Sequence, residues 1–201
     1  TGTLTKSGSA TLTLSGANTY SGGSTLSAGT LSLGNNAALG TNSLTTVSGT
    51  TLDIQSTVSA SNDIALGSGS TNINVASGTG TLSGVMSGNG GVNKTGATTL
   101  TLSGINTFTG ATTVSAGSLA LSGSGAIASS ASTNVSSGAT IDISGVTSGA
   151  TLNTLSGAGN ITLGSKALTV SQSSSATLSG VINGTGTLTK SGSATLTLSG
   201  A

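Results

Sequence analysis

The chain has 201 residues, of which 3% are charged and 1% are aromatic, and its net charge of +1 provides no field to hold nucleic acid or an anionic membrane. It contains no cysteine or histidine, which excludes disulfides, thiolate zinc sites and His-based catalytic triads. With so few aromatic side chains and no proline, the composition favours a thin aliphatic core built from strands.

Apolar-x-apolar pairs recur along the chain, and most steps between them are 19 to 22 residues. Such alternation predicts strands with one buried face, and the Gly, Asn and Ser between the pairs predict turns. In chain order the pairs are Leu12/Leu14, Leu31/Leu33, Leu52/Ile54, Ile73/Val75, Leu100/Leu102, Leu119/Leu121, Ile141/Ile143, Ile161/Leu163 and Leu196/Leu198. A strand every ~20 residues predicts stacked coils, so we predict an all-β fold, a parallel β-solenoid with about 20 residues per coil.

The same pairs predict which side chains point into the tube. The predicted core ladder consists of Leu12, Leu14, Leu31, Leu33, Leu52, Ile54, Leu100, Leu102, Leu119, Leu121, Ile141 and Ile143. Secondary pairs are predicted to line the other walls of each coil, namely Leu44/Val47, Ile64/Leu66, Leu152/Leu155 and Leu168/Val170. Ser, Thr and Gly are expected outside, where the β-branch of Thr fits the pleat.

Two nested repeats organise the chain. The segment Thr1 to Ala17 recurs without change at residues 185–201, an offset of 184 residues. Inside that unit, residues 3–33 match residues 91–121 at an offset of 88. The matched repeat-motif residues include Lys6 and Lys94, Asn18 and Asn106, and Tyr20 and Phe108. We predict one continuous solenoid over residues 1–201, with modules at about 1–80, 81–176 and 177–201, the last beginning the next copy of the first. About nine coils should form each 184-residue unit.

No constellation of side chains predicts catalysis, a metal site or a cofactor site. Lys6 and Lys190 each precede a serine, but we interpret them as solvent-facing residues of a repeat motif rather than as Ser–Lys pairs. Asp53 and Asp142 lie between apolar neighbours on alternating strands and should point outward. We interpret the two aromatic side chains as packing or turn-covering residues.

The motif itself resembles a known family. In its first copy the motif residues are Gly2, Leu4, Lys6, Gly8, Thr11 to Gly16, Asn18, Thr19, Tyr20, Gly22 and Ala28 to Leu31. This pattern resembles the autotransporter-associated β-strand repeat; the second copy departs at Val92, where Leu is usual, and at Phe108. The resemblance implies a right-handed parallel β-helical passenger, exported across the outer membrane of a Gram-negative bacterium by a separate C-terminal barrel. It transfers no catalytic residue.

These features together predict a structural, non-catalytic and extracellular role. We expect a stalk of a long repetitive surface or adhesin protein, of which this chain is an internal segment because its pattern starts in mid-motif. The alternative is a self-assembling extracellular filament or matrix protein whose units stack end to end and bundle. The expected partners are other copies of the chain, end to end or side by side, and other cell surfaces or matrix, without nucleic acid and without membrane insertion by this segment.

Overall fold

A computed structural model of the chain describes residues 1–200. Regular structure in this range consists of 25 β-strands and no helix. The strands pair in parallel with strands about 20 residues away, and ten coils stack on one another. This architecture confirms the predicted all-β parallel β-solenoid.

One sheet, which we call face B, runs the whole length of the described solenoid. It has one strand in every coil because each coil carries an alternating apolar segment at this place. Its strands are β2 (Thr11–Leu14), β4 (Thr30–Leu33), β6 (Thr51–Ile54), β9 (Ser70–Asn74), β12 (Gly91–Thr95), β14 (Thr112–Val114), β16 (Thr133–Val135), β19 (Leu155–Gly157), β22 (Ala176–Leu178) and β25 (Leu196–Leu198).

The other two walls are interrupted. Face A consists of a five-stranded sheet and a later three-stranded sheet. Its strands are β1 (Leu4–Lys6), β3 (Ser24–Leu26), β5 (Leu44–Thr46), β8 (Ile64–Leu66) and β11 (Met86–Gly88), followed by β18 (Ala150–Asn153), β21 (Leu168–Ser171) and β24 (Leu188–Ser191). Face C is a seven-stranded sheet of β7 (Ser59–Ala60), β10 (Thr79–Leu82), β13 (Thr99–Leu102), β15 (Ser118–Gly123), β17 (Thr140–Val146), β20 (Asn160–Gly164) and β23 (Ile182–Gly184).

Alternation along each strand places the core. On β6, Leu52 and Ile54 are buried, whereas Thr51 and Asp53 are only half-buried on the outer side. The parallel register sets Leu31 of one coil against Leu52 of the next. Because a single coil cannot cover its own apolar side chains, each one is buried by the coils above and below it.

The twelve predicted core residues all point into the tube. Ten of them are at most 1% exposed, while Leu12 and Leu14 in the first coil are half-buried against the same cluster. They form two ladders rather than one, because the pairs up to Leu52/Ile54 lie on face B and those from Leu100/Leu102 lie on face C. The secondary pairs are buried except at Val47, which is 44% exposed, so that prediction is wrong. Thr46, not Val47, points inward there.

The two repeats have different phases in the solenoid. Leu4 begins a strand of face A in the first coil, but its match at an offset of 88, Val92, lies on face B in the fifth coil. The shorter repeat therefore advances by four coils and one face. Leu188, the match at an offset of 184, lies on face A again in the tenth coil. The longer repeat thus spans nine coils and returns each motif to its own face.

Candidate functional site: the coil-to-coil contacts of the repeated motif

The lysine of each complete motif copy is buried in a cage of backbone carbonyl groups. Lys6 is 6% exposed and Lys94 is fully buried. The Lys94 Nζ donates to the carbonyl oxygens of Thr95 at 2.7 Å, Gly96 at 2.9 Å and Ala116 at 3.2 Å. The Thr95 oxygen lies at the end of β12, the Gly96 oxygen lies in the turn that follows, and the Ala116 oxygen belongs to the next coil. The lysine side chain therefore fastens two successive coils together.

Lys6 and Lys190 show the same side chain with and without a covering coil. The Lys6 Nζ donates to Ser7 O at 3.1 Å, to Gly8 O at 2.7 Å and, in the next coil, to Ala28 O at 3.0 Å. Lys190 has the same sequence neighbours but lies in the last described coil, where it is exposed and donates to Gly192 O at 2.7 Å. The prediction of a solvent-facing lysine is therefore wrong for Lys6, because the following coil covers it.

The cage has an electrostatic cost. The Lys94 side chain has no carboxylate beside it; its Nζ contacts only neutral carbonyl oxygens. Removal from water disfavours the ammonium form, and burial lowers the pKa of Lys94 from 10.5 to about 8. The carbonyl oxygens compensate by presenting three acceptors to the three N–H groups of the ammonium. At neutral pH the lysine is a buried, hydrogen-bonded cation.

The asparagine of the motif also connects successive coils by hydrogen bonds, and in the second copy it links three coils. The Asn106 side chain is 3% exposed. Its Oδ1 accepts from the Met86 N–H of the preceding coil at 2.8 Å, and its Nδ2 donates to Ala126 O of the following coil at 3.0 Å. Asn18 donates from its Nδ2 to Ala38 O at 2.7 Å, which is the equivalent bond in the first copy. The Asn106 side chain thus pairs the Met86 N–H at this break in the sheet, while the Ala126 carbonyl group also accepts from the Asn106 backbone N–H at 3.1 Å.

The motif aromatics lie where the sheet is broken. Phe108 is 1% exposed and belongs to the core cluster. Tyr20 is half-buried, and its hydroxyl lies 2.7 Å from the Ser24 Oγ. These positions agree with the packing role predicted from the sequence. The segment with Tyr20 lies on the wall of face C, and the segment with Phe108 lies on the wall of face A.

Sequence reasoning missed other buried polar contacts. Gln172 is fully buried; its Oε1 accepts from Leu155 N–H at 3.1 Å and its Nε2 donates to Ser174 O at 2.9 Å. The hydroxyl groups of Thr46 and Thr71 are buried 2.7 Å apart. The one feature of the sequence that could have indicated a special role for Gln172 is that glutamine is rare in this chain, which has two glutamines and is rich in Ser and Thr. Polar alternation alone does not show which small polar side chains point inward.

Asp53 and Asp142 lie on two different walls. Asp53 on face B accepts from Ser32 Oγ at 2.6 Å and from Asn74 Nδ2 at 2.6 Å, whereas Asp142 on face C accepts from Ser144 N–H at 2.8 Å. Both carboxylates are therefore on the outer side, as predicted. Across residues 1–200, no three His, Cys, Asp or Glu side chains gather in a group that could hold a metal ion. The same residues contain no helical segment with the length and hydropathy needed to span a bilayer.

A model of a known repeat family matches three segments of the chain. The family model called the passenger-associated-transport-repeat matches residues 4–33, 92–121 and 188–201. These segments contain Lys6, Lys94 and Lys190, and the matches confirm the autotransporter-associated repeat predicted from the motif. Searches of curated proteins and of solved structures returned no match to the chain.

Proposed function

We propose that the chain is a structural, non-catalytic rod segment of an exported bacterial surface protein. The observation that carries this proposal is the agreement between the sequence repeat and the coil repeat. A 184-residue unit spans nine coils, so the strand at Leu188 occupies the same face as the strand at Leu4. Tandem units can therefore continue one solenoid without a break in its core.

The use of the motif side chains supports a structural role. Lys94 and Asn106, the polar residues most characteristic of the repeat, are buried, and their side chains form hydrogen bonds with neighbouring coils. A side chain committed in this way contributes to cohesion between coils rather than to contact with a ligand. Stability of such an array comes from nearest-neighbour interfaces, so length can be added without changing the local structure.

The family match supports export and surface display. A passenger-associated repeat is a segment of the transported part of an autotransporter, and three segments of this chain match that repeat. An adhesive role follows as a further part of the proposal, since a long rod holds whatever it carries away from the cell. Apart from Asp53, the outer side chains of face B, such as Thr51, Asn72 and Asn93, are polar and uncharged, which suits a surface exposed to variable salt.

Scattering and microscopy of tandem proteins test the rod. Each added 184-residue unit should lengthen the particle by roughly 43 Å, because nine coils each rise ~4.8 Å, and its cross-section should stay constant. Immunogold labelling of the source cells should place the segment outside the outer membrane. A compact particle, or a hydrolytic activity that maps to this segment, would overturn the proposal.

A second role, an extracellular filament built from several chains, is favoured by one observation. Residues 1–17 and 185–201 are identical, and the first and tenth described coils lie within residues 1–17 and 185–200. A coil sequence that recurs on the same faces allows units of separate chains to stack in the way that tandem units do. Microscopy of the native assembly distinguishes fibres longer than one polypeptide from single stalks.

A further inference from the structure

We propose that face B is a docking surface for a second copy of this chain, so that two solenoids pair side by side with their face B sheets in contact. This pairing rests on the rod-like structural role proposed above and extends it to a partner. Face B has a strand in every described coil. Contacts made through it can therefore repeat along the rod without a gap.

Face B is also more regular than the other two walls. Face A has no strand between β11 and β18. Face C contains register shifts, between Ala120 and Ser122 on β15 and between Thr162 and Gly164 on β20. From β2 to β19 the paired strands of face B keep a one-to-one register. Its outer side chains therefore stand in straight columns, one row per coil.

The first outer column of face B is small, polar and uncharged. In five successive coils it consists of Thr51, Asn72, Asn93, Thr113 and Asn134. All five side chains are half-buried within one copy. Lys94, the lysine on this face, points inward into its carbonyl cage. Two such columns can therefore meet without bringing ammonium groups together.

Hydrogen bonds between coils hold the outer side chains of face B in place. The charged member of the second column is Asp53, whose two oxygens accept from Ser32 Oγ and Asn74 Nδ2, both at 2.6 Å. In the first column Asn93 Nδ2 donates to Asn72 Oδ1 at 2.9 Å. Because these side chains are ordered before a partner arrives, docking costs little side-chain entropy.

The period of the coils favours a second copy as the partner. Each contact on face B recurs every ~4.8 Å along the axis. A surface keeps this match over many coils when it has the same period, and another copy of the solenoid has that period. Thr, Ser and Asn side chains both donate and accept, so they are complementary to their own kind. Stacked identical side chains of this sort interdigitate between paired sheets.

The area of face B predicts that association depends on the length of the rod. A face three to four residues wide covers roughly 60 Å² per coil, since strands are ~4.8 Å apart and each residue rises ~3.4 Å. The nine coils of one 184-residue unit then bury about 1,000 Å² over both copies, the lower limit for a specific interface. One unit should pair weakly, and tandem units in one chain should pair much more tightly.

Analytical ultracentrifugation of proteins with one, two and three tandem units tests this dependence. The dissociation constant of the side-by-side dimer should fall at least tenfold with each added unit. Because the surface carries almost no charge, it should change less than tenfold between low and high salt. A three-unit protein that stays monomeric at every accessible concentration would overturn the proposal. Monomeric rods of the expected length in scattering would show that the failure concerns pairing and leaves the structural role standing.

Lysine substitutions on two walls show which face pairs. The variant Thr51→Lys, Thr113→Lys carries two ammonium groups on the outer side of face B, and Thr101→Lys, Thr162→Lys carries two on the outer side of face C. All four threonines are half-buried at the outer side of a strand. With the changes in every unit of the three-unit protein, the face B variant should raise the dissociation constant at least tenfold, because ammonium groups lose water in the interface. The face C variant should leave it unchanged.

The unfolding midpoints of both variants, measured by circular dichroism, should stay near that of the parent, so that a loss of pairing is not a loss of folding. Equal effects of the two variants on the dissociation constant would show that face B is not the docking surface. Monomeric rods that sediment with an insoluble neutral polysaccharide, and cease to do so in the face B variant, would assign this face to a different partner and also overturn the proposal.

Discussion

Replacing Lys94 with methionine tests whether the buried lysine cage stabilises the solenoid. Methionine keeps the length of the side chain and removes the three donated hydrogen bonds. The carbonyl oxygens of Gly96 and Ala116 have no other protein donor among residues 1–200, so they lose their partner, whereas Thr95 O still accepts from Val75 N–H. Two unpaired carbonyl groups cost about 1–3 kcal/mol each, and relief from burying a charge offsets part of that. We expect a net loss of about 2 kcal/mol.

The matched control is already present in the chain. Lys190 has the same neighbours in sequence as Lys6, but it is exposed and makes one hydrogen bond. Lys190→Met should therefore change the free energy of unfolding by less than about 0.5 kcal/mol. Urea unfolding of both variants at pH 7, followed by far-ultraviolet circular dichroism, measures the difference. Equal effects from the two substitutions would refute the idea that the carbonyl cage stabilises the coils.

The pH dependence of the parent protein provides a second measure of the same group. Below pH 8 Lys94 is protonated in both the folded and the unfolded chain, so it contributes no slope there. Because burial lowers the pKa of Lys94 from 10.5 to about 8, the unfolded chain binds more protons between these values, and stability should rise with pH. The rise should be absent in Lys94→Met. A fall in the stability of the parent over this range would contradict the assigned pKa shift.

Three further substitutions test the core, the hydrogen bonds of Asn106 between coils, and the turns, each by denaturant unfolding. Leu102→Asp should cost about 3–5 kcal/mol because it buries an unpaired charge, whereas Thr101→Asp on the outer side should cost under ~1 kcal/mol; similar losses would mean that the strand register is inverted. Asn106→Ala should cost about 1–3 kcal/mol, because it leaves the Met86 N–H of the preceding coil without a partner, whereas the Ala126 carbonyl group still accepts from the Asn106 backbone N–H. Gly96→Ala should destabilise more than Gly49→Ala: both glycines have positive φ (79° and 77°), but a Cβ at Gly96 would lie 2.3 Å from Val75 O while none is near at Gly49. Equal losses at the two glycines would show that the close approach of the coils at Gly96 is relaxed in solution.

The sequence by itself determined the strands, their spacing and the direction of their apolar side chains. Alternation such as Leu52-Asp53-Ile54 has a period of two, and on a strand that period leaves one face for the core and one for water. The scarcity of large aromatic and of charged side chains, together with a step of ~20 residues, is compatible with few architectures other than stacked coils. The predicted solenoid followed from these local features, whereas the repeat family was implied by the resemblance of the motif.

Only the tertiary structure decided how the repeats are placed around the tube. An offset of 88 residues looks in sequence like a simple translation, yet it moves Leu4 on face A to Val92 on face B. The number of coils in a segment depends on how many residues each turn and corner contains. Small differences in coil length add up along the chain, so that a repeated motif can lie on a different wall. The matching of Lys6 to Lys94 therefore did not show which wall each lysine occupies.

The burial of the lysines was likewise decided by the neighbouring coil. A lysine between a strand and a glycine turn is normally solvent-facing, because an isolated charge is costly to bury. At Lys94 that cost is reduced by three carbonyl oxygens, one of which, from Ala116, comes from a residue 22 positions later. Lys190 has the same local sequence as Lys6 and is exposed, so the difference lies in whether another coil stacks on it. Local sequence sets which way a side chain points, and burial depends on the coil that covers it.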